Sequence, residues 1–135
     1  MKILIVEDDP LSQQLLSRYL QDQGERVIAE DGEKAIAIFR EASAGPQPFD
    51  LICLDIMLPY LDGQAVLKMV RSWEEARGIG GLAGCKVIML TALRDVDNVM
   101  KAFRSQCEAY LSKPISKERL FREIRSLGLP LNENQ

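Results

Sequence analysis

Reactive side chains in this sequence sit directly after short apolar runs. Glu7, Asp8 and Asp9 follow Ile3 to Val6, and Asp55 follows Leu51 to Leu54. Thr91 follows Val87 to Leu90, and Ser112, Lys113 and Pro114 follow the weaker run Ala109 to Leu111. If these runs are strands of one sheet, carboxylates from two of them face one another. Two unit negative charges about 4 Å apart repel by about 4 kcal/mol at an effective dielectric of about 20. A fold tolerates this when a cation neutralises the cluster. The chain has no His, so the donors are oxygens, which favour a hard ion such as magnesium or calcium. Magnesium binds through one or two carboxylates and phosphate oxygens, so the cluster suits phosphate chemistry.

Each group also has an ordinary reading. Asp9 before Pro10 fits a helix start, with Asp at the N-cap and Pro at the first helical position. Asp9 is therefore assigned to capping, and Glu7 and Asp8 to the metal pocket. Asp55 alone reads as well as a turn carboxylate, Thr91 as a strand-end residue, and Lys113 as a solvated charge. Their shared position after apolar runs is what sets them apart.

The elements that must position these residues follow from periodicity. The four runs, with Val27 to Ala29 as a fifth, are continuous rather than alternating, as strands of a parallel sheet covered on both faces are. Helical stripes lie between them. Leu11, Leu15, Leu16, Tyr19 and Leu20 share one, with Gly24 as its C-terminal stop. Ala35, Ile36, Phe39 and Ala42 form the next. Val66, Met69, Val70 and Trp73 recur at helical spacing, as do Val96, Val99, Met100 and Phe103. The last carries Leu120, Phe121, Ile124 and Leu127, with Ser116 as N-cap. Five strand–helix cycles predict an open α/β sheet with helices on both sides. Right-handed crossovers put every strand-to-helix loop at one sheet edge, where ligands of such sheets bind.

Composition narrows the function classes. The 135 residues, 47% hydrophobic and 27% charged, fit one domain with a real core. The net charge of -3 comes without a Lys/Arg-rich stretch, so nucleic acid is not an expected partner. The apolar run at the N-terminus is too short for a signal peptide or a membrane span. The expected location is the cytoplasm, with no membrane contact. Cys53, Cys85 and Cys107 are odd in number and lack CxxC spacing, which argues for free thiols rather than zinc. Arg77 to Gly84 holds four glycines and a formal GxGxxA string. It follows a helix and precedes a strand, the reverse of a dinucleotide fingerprint, so it reads as a loop.

Together these segments resemble the CheY-like receiver domains of two-component signalling, from Lys2 to about Leu127. The residues carrying the likeness are Ile3–Asp9, Asp50–Pro59, Asp62-Gly63, Met89–Ala92 and Tyr110–Pro114. The resemblance implies a three-layer, doubly wound, flavodoxin-like fold with five parallel strands in the order 2-1-3-4-5. It implies a receiver over residues 1–128, a short tail over 129–135, and no output domain. It makes Asp55 the phosphoacceptor and gives Mg2+ to Glu7, Asp8, Asp55 and the backbone carbonyl of Met57. Thr91 matches the hydroxyl that bonds the phosphoryl group, Lys113 the lysine of the site, and Tyr110 the switch aromatic. The Lys113–Pro114 bond is expected to be cis. A carboxylate is a modest nucleophile, so positioning and charge neutralisation carry such a transfer, and Lys113 would balance charge on the phosphoryl oxygens.

The implied protein is a phosphoacceptor that acts only on its own phosphorylation state. Its implied partners are a sensor histidine kinase or phosphotransfer protein and a downstream protein target, with the chain a monomer or weak dimer. Glu108-Ala109 departs from the usual acidic pair before the switch aromatic, which leaves dimerisation through the fourth-helix, fifth-strand and fifth-helix face open. Three rivals fit less well. A haloacid-dehalogenase-type hydrolase needs a second Asp where Met57 stands. A receiver-like module that has lost phosphorylation would lack Asp55, Lys113 or part of the acidic pair. A flavodoxin-like cofactor binder would not place Glu7-Asp8-Asp9 where phosphate must sit.

Overall fold

Every residue of the third apolar run is buried, the pattern of a strand covered on both faces. It is one of five parallel strands, β1 (Lys2–Val6), β2 (Glu25–Ala29), β3 (Leu51–Asp55), β4 (Lys86–Thr91) and β5 (Ala109–Ser112). Their order is β2-β1-β3-β4-β5. The computed structural model describes residues 1–80, 83–92 and 106–132. Among them are four helices, α1 (Pro10–Tyr19), α2 (Gly32–Ser43), α3 (Gly63–Ala76) and α4 (Lys117–Ser126). The stripe expected at Val96, Val99, Met100 and Phe103 lies outside the described residues, as do Gly81 and Leu82 of the glycine-rich stretch.

Side-chain alternation along the strands divides the core in two. Leu4, Val6, Ile52, Leu54, Val87 and Met89 pack with α2 and α3. Ile3, Ile5, Leu51, Cys53, Ile88, Leu90 and Leu111 pack with α1 and α4. Fully burying one such aliphatic side chain is worth about 1.5–3 kcal/mol, so each face anchors its helices. The sheet is thus a middle layer between two helix layers, as the sequence predicts.

Each helix starts with the same local device. Asp9, Asp31, Asp62 and Ser116 sit in extended backbone and accept from the amides of Ser12, Lys34, Ala65 and Arg119. Such caps satisfy amide groups that have no partner within the helix. Both Asp9 and Ser116 cap as their sequence context predicts.

Helix faces differ from expectation in two places. The five-residue stripe of α1 spans roughly 180° at about 100° per residue, too wide for one contact. The sheet takes the half that holds Leu16 and Leu20, while Leu11 is 74% and Leu15 38% exposed. In α3 the buried side is turned by roughly 60° from the expected stripe, to Val66, Leu67, Val70 and Glu74, and Met69 is exposed. Glu74 explains the turn. Its carboxylate accepts from the Cys85 amide at 2.8 Å and from Arg71 Nη1 at 2.8 Å. Arg71 also donates to the carbonyls of Gln106 and Cys85 and to Glu108, whose carboxylate accepts from the Val87 amide. Glu108, the departure noted in the sequence, is therefore occupied tying β4 to α3.

Gly24 is not the stop of α1, which ends at Tyr19 with Leu20 as C-cap. Gly24 has φ 135°, and a β-carbon there would lie 1.9 Å from the Met1 carbonyl oxygen. It is needed where the chain turns tightly past Met1 into β2. Beside it, Gln23 grips the segment after α4. Its side-chain amide donates to the Asn132 carbonyl at 2.8 Å and accepts from the Asn132 amide at 2.6 Å. Leu129 and Leu131 pack nearby against the α1–α4 core. Removing both bonds costs about 1–2 kcal/mol. We expect Gln23→Ala to lower the melting temperature by about 3–6 °C, and an unchanged melt would show the clamp to be idle.

The three cysteines are free and buried. Burial pushes the Cys53 thiol up to about 12, which removes the thiolate that metal binding or nucleophilic attack needs. Among the described residues no helix is long and apolar enough to cross a membrane.

Candidate functional site

Because all five strands run parallel, their carboxyl ends share one edge. Asp55 closes β3 and Thr91 closes β4, while Glu7 follows β1 and Lys113 follows β5. The ladder holds these ends in register, with Val6 beside Leu54, Asp55 beside Leu90, and Thr91 beside Ser112. Two bonds extend it past the strands. The Ile56 amide donates to the Leu90 carbonyl at 2.9 Å, and the Lys113 amide to the Thr91 carbonyl at 2.7 Å.

Lys113 joins the site. Its Nζ lies 2.9 Å from Glu7 Oε2 and 3.2 Å from Asp55 Oδ2. Asp55 Oδ1 accepts from the Met57 amide at 3.0 Å. One carboxylate oxygen each of Glu7, Asp8 and Asp55 lies within 4.8 Å of the others. Glu7 and Asp55 are buried, and Asp8 is exposed at the mouth. Thr91 is fully buried at the same edge. Tyr110 pairs with Met89, two residues before Thr91, so it lies diagonal to Thr91 on the same sheet face. The Lys113–Pro114 peptide bond is cis.

Three carboxylates face one ammonium, and the charges respond to that. Burial pushes the Glu7 carboxyl above its usual range; the bond from Lys113 opposes this, and the Asp55 charge adds to it. Burial pulls the Lys113 ammonium down, but its bond to Glu7 and the charges of Asp55 and Glu7 outweigh burial and hold it above its ordinary value. The ammonium thus stays charged at neutral pH. The excess negative charge, borne on oxygens alone, matches a hard divalent ion; among the described residues this is the one group arranged to hold a metal.

Two supporting residues were given no role in the sequence reading, although Gly63 belongs to the Asp62-Gly63 pair that carries the likeness. Gln13 Nε2 donates to the Glu7 carbonyl at 2.6 Å and so fixes the turn that presents the acidic pair. A β-carbon at Gly63 would lie 2.1 Å from the Asp55 carbonyl oxygen. Only glycine lets α3 begin directly against the backbone of Asp55. For Gly63 the signal was its place after a helix cap; for Gln13 there was none.

The profile of the response regulator receiver domain matches residues 3–125. The chain belongs to this family. Among curated relatives, the receiver is 37% identical over 127 residues to the DNA-binding dual master transcriptional regulator RpaA of Synechocystis. That match covers 93% of the receiver and 48% of RpaA. It is 31% identical over 121 residues to the sensor protein GacS of Pseudomonas syringae, covering 88% of the receiver and 12% of GacS. The receiver therefore spans about half, or far less, of these relatives. Among solved structures, it superposes with a TM-score of 0.79 and 30% identity on a chain of one complex, covering 95% of the receiver and 88% of that chain. That complex joins the Saccharomyces cerevisiae histidine phosphotransfer signaling protein Ypd1 to the receiver domain of its downstream response regulator Ssk1. Receivers are phosphoacceptor domains of two-component and phosphorelay signalling; they bind Mg2+ at an acidic pocket and interact with histidine kinases or phosphotransfer proteins.

Proposed function

We propose that this receiver accepts a phosphoryl group on Asp55 from a sensor histidine kinase or phosphotransfer protein. In that step a carboxylate oxygen of Asp55 forms a bond to phosphorus as the bond from phosphorus to the donor imidazole nitrogen breaks. Glu7, Asp8, Asp55 and the Met57 carbonyl hold Mg2+, which when bound neutralises charge on the carboxylates and the phosphoryl oxygens. Lys113 supplies a second positive charge to the same oxygens. The Met57 amide and Lys113 orient the Asp55 carboxylate from its two oxygens. Thr91 donates its hydroxyl to the phosphoryl group after transfer, and Tyr110, diagonal to it on the same face, follows. That pairing is a two-state element a new acceptor can bias. The receiver, residues 1–128, works in the cytoplasm as a monomer or weak dimer, and passes its signal by contact with a protein target. It is not an enzyme for other substrates.

The observation that carries this reading is the Lys113 ammonium bridging Glu7 and Asp55 beside Asp8, at the edge where all strands end. Magnesium is expected to stabilise the fold. At ten times its Kd a ligand adds about 1.4 kcal/mol, a rise of about 5 °C in melting temperature. Asp8→Asn is expected to remove most of that rise. A melt that millimolar magnesium leaves unmoved would argue against the site.

A further inference from the structure

Among the described residues, Tyr60 alone of the non-glycine residues has positive φ, at 66°. A β-carbon is sterically disfavoured in this left-handed conformation, most of all on a bulky residue. The turn around it is locked. The Leu58 amide donates to the Ile56 carbonyl at 3.2 Å, the Leu61 amide to the Pro59 carbonyl at 2.7 Å, and the Gly63 amide to the Ile56 carbonyl at 3.0 Å. Glycine or asparagine would occupy this position more easily. The tyrosine ring gains nothing in return from the domain itself, since the residue is 95% exposed. Met57, three residues earlier, is also exposed, at 61%. An unfavourable backbone that holds an aromatic side chain clear of its own domain points outward, to function.

The loop leaves the sheet at Asp55 and returns at Gly63 against the Asp55 backbone, so it starts and ends beside the acceptor, with Tyr60 between. Whatever delivers a phosphoryl group to Asp55 must come up beside this loop. A small phosphodonor has no reason to touch a ring that stands clear of its own domain. A protein donor does, because it covers the rim as it docks. We propose that Tyr60 is a recognition residue for the phosphodonor protein, its ring buried in that complex while the phosphoryl group passes to Asp55. This rests on the phosphoacceptor reading above.

The test compares Tyr60→Gly and Tyr60→Phe with the wild-type chain, using two donors. One is acetyl phosphate. The other is the purified histidine kinase of the source organism that labels the wild type fastest. Tyr60→Gly is expected to melt no lower than wild type and to take label from acetyl phosphate at the wild-type rate. Its kcat/KM with the kinase is expected to fall by about tenfold or more, the loss typical of a buried aromatic anchor. Tyr60→Phe is expected to keep the kinase rate within about threefold, because contact area rather than the hydroxyl is used. A kinase rate for Tyr60→Gly within about twofold of wild type, or an equal loss with both donors, overturns the assignment. A wild-type chain that takes no label from acetyl phosphate or any kinase overturns the phosphoacceptor reading, and this assignment with it.

Discussion

Asp55→Asn is expected to fold normally and to lose phosphoryl transfer from acetyl phosphate by about 10⁴-fold or more, the scale on which reactive machinery fails when its nucleophile is removed. The carboxamide keeps the shape and still offers an oxygen to the Met57 amide, which now bonds Asp55 Oδ1 at 3.0 Å. What it lacks is the charged oxygen that attacks phosphorus. Stability gives a second readout of opposite sign. The substitution takes one negative charge out of a cluster of three carboxylates, two of which share one ammonium, and Lys113 keeps Glu7 at 2.9 Å. Without magnesium the variant should therefore be at least as stable as wild type, and it should bind magnesium more weakly. Quantitative labelling with acid-quench detection of the acyl phosphate, run beside a urea titration, checks both. Labelling that persists in Asp55→Asn would place the acceptor on another carboxylate.

Lys113→Met is expected to show the largest loss of stability. The lysine is the partner of two buried carboxylates, and breaking a buried pair from one side costs more than the pair contributes, because a charge is left uncompensated. With the ammonium side chain 23% exposed, the loss should sit at the lower end of the range for such pairs, about 3 kcal/mol. Lys113 titrates above its ordinary 10.5 in the folded protein. Its contribution is therefore complete below the unfolded value and fades only as pH rises through the higher folded one. The deficit of the variant should accordingly be flat across neutral pH. Magnesium should restore part of the lost stability, since an added cation replaces the missing one, but not the transfer rate. A variant as stable as wild type in metal-free buffer would show that the two salt bridges contribute nothing. Arg at this position keeps the charge yet presents a planar fork instead of a point donor, and separates charge from geometry.

The strands and the placement of the residues at their ends were legible because each depends on short, local patterns. A run such as Leu51 to Leu54 is buried on both faces wherever it sits in a parallel sheet, and the residue after it can only emerge at one edge. The expected placement of Glu7, Asp8, Asp55, Thr91 and Lys113 needed no more than that rule and the strand order. Helix faces were less legible, since periodicity marks apolar residues without saying which half of a wide stripe the sheet accepts. Leu11 and Leu15 were placed inside for that reason. In α3 the decision came from a polar network of Arg71, Glu74, Cys85 and Glu108, whose members are up to 37 residues apart in the chain. No window along the sequence contains it. Gln13 and the grip of Gln23 on Asn132 escaped notice for the same reason, because a glutamine on a helix or turn has no pattern that marks it as a positioning group.

That grip has a practical consequence for reporters. Gln23 precedes β2 at the amino edge of the sheet, whereas Asp55 sits at the carboxyl edge, five residues of strand away. At about 3.3 Å per residue this is a separation of roughly 16 Å. A fluorophore or affinity handle attached at Asn132 would thus sit on the far side of the molecule from the acidic pocket. It could report on docking at Tyr60 without standing in the way of the docking body.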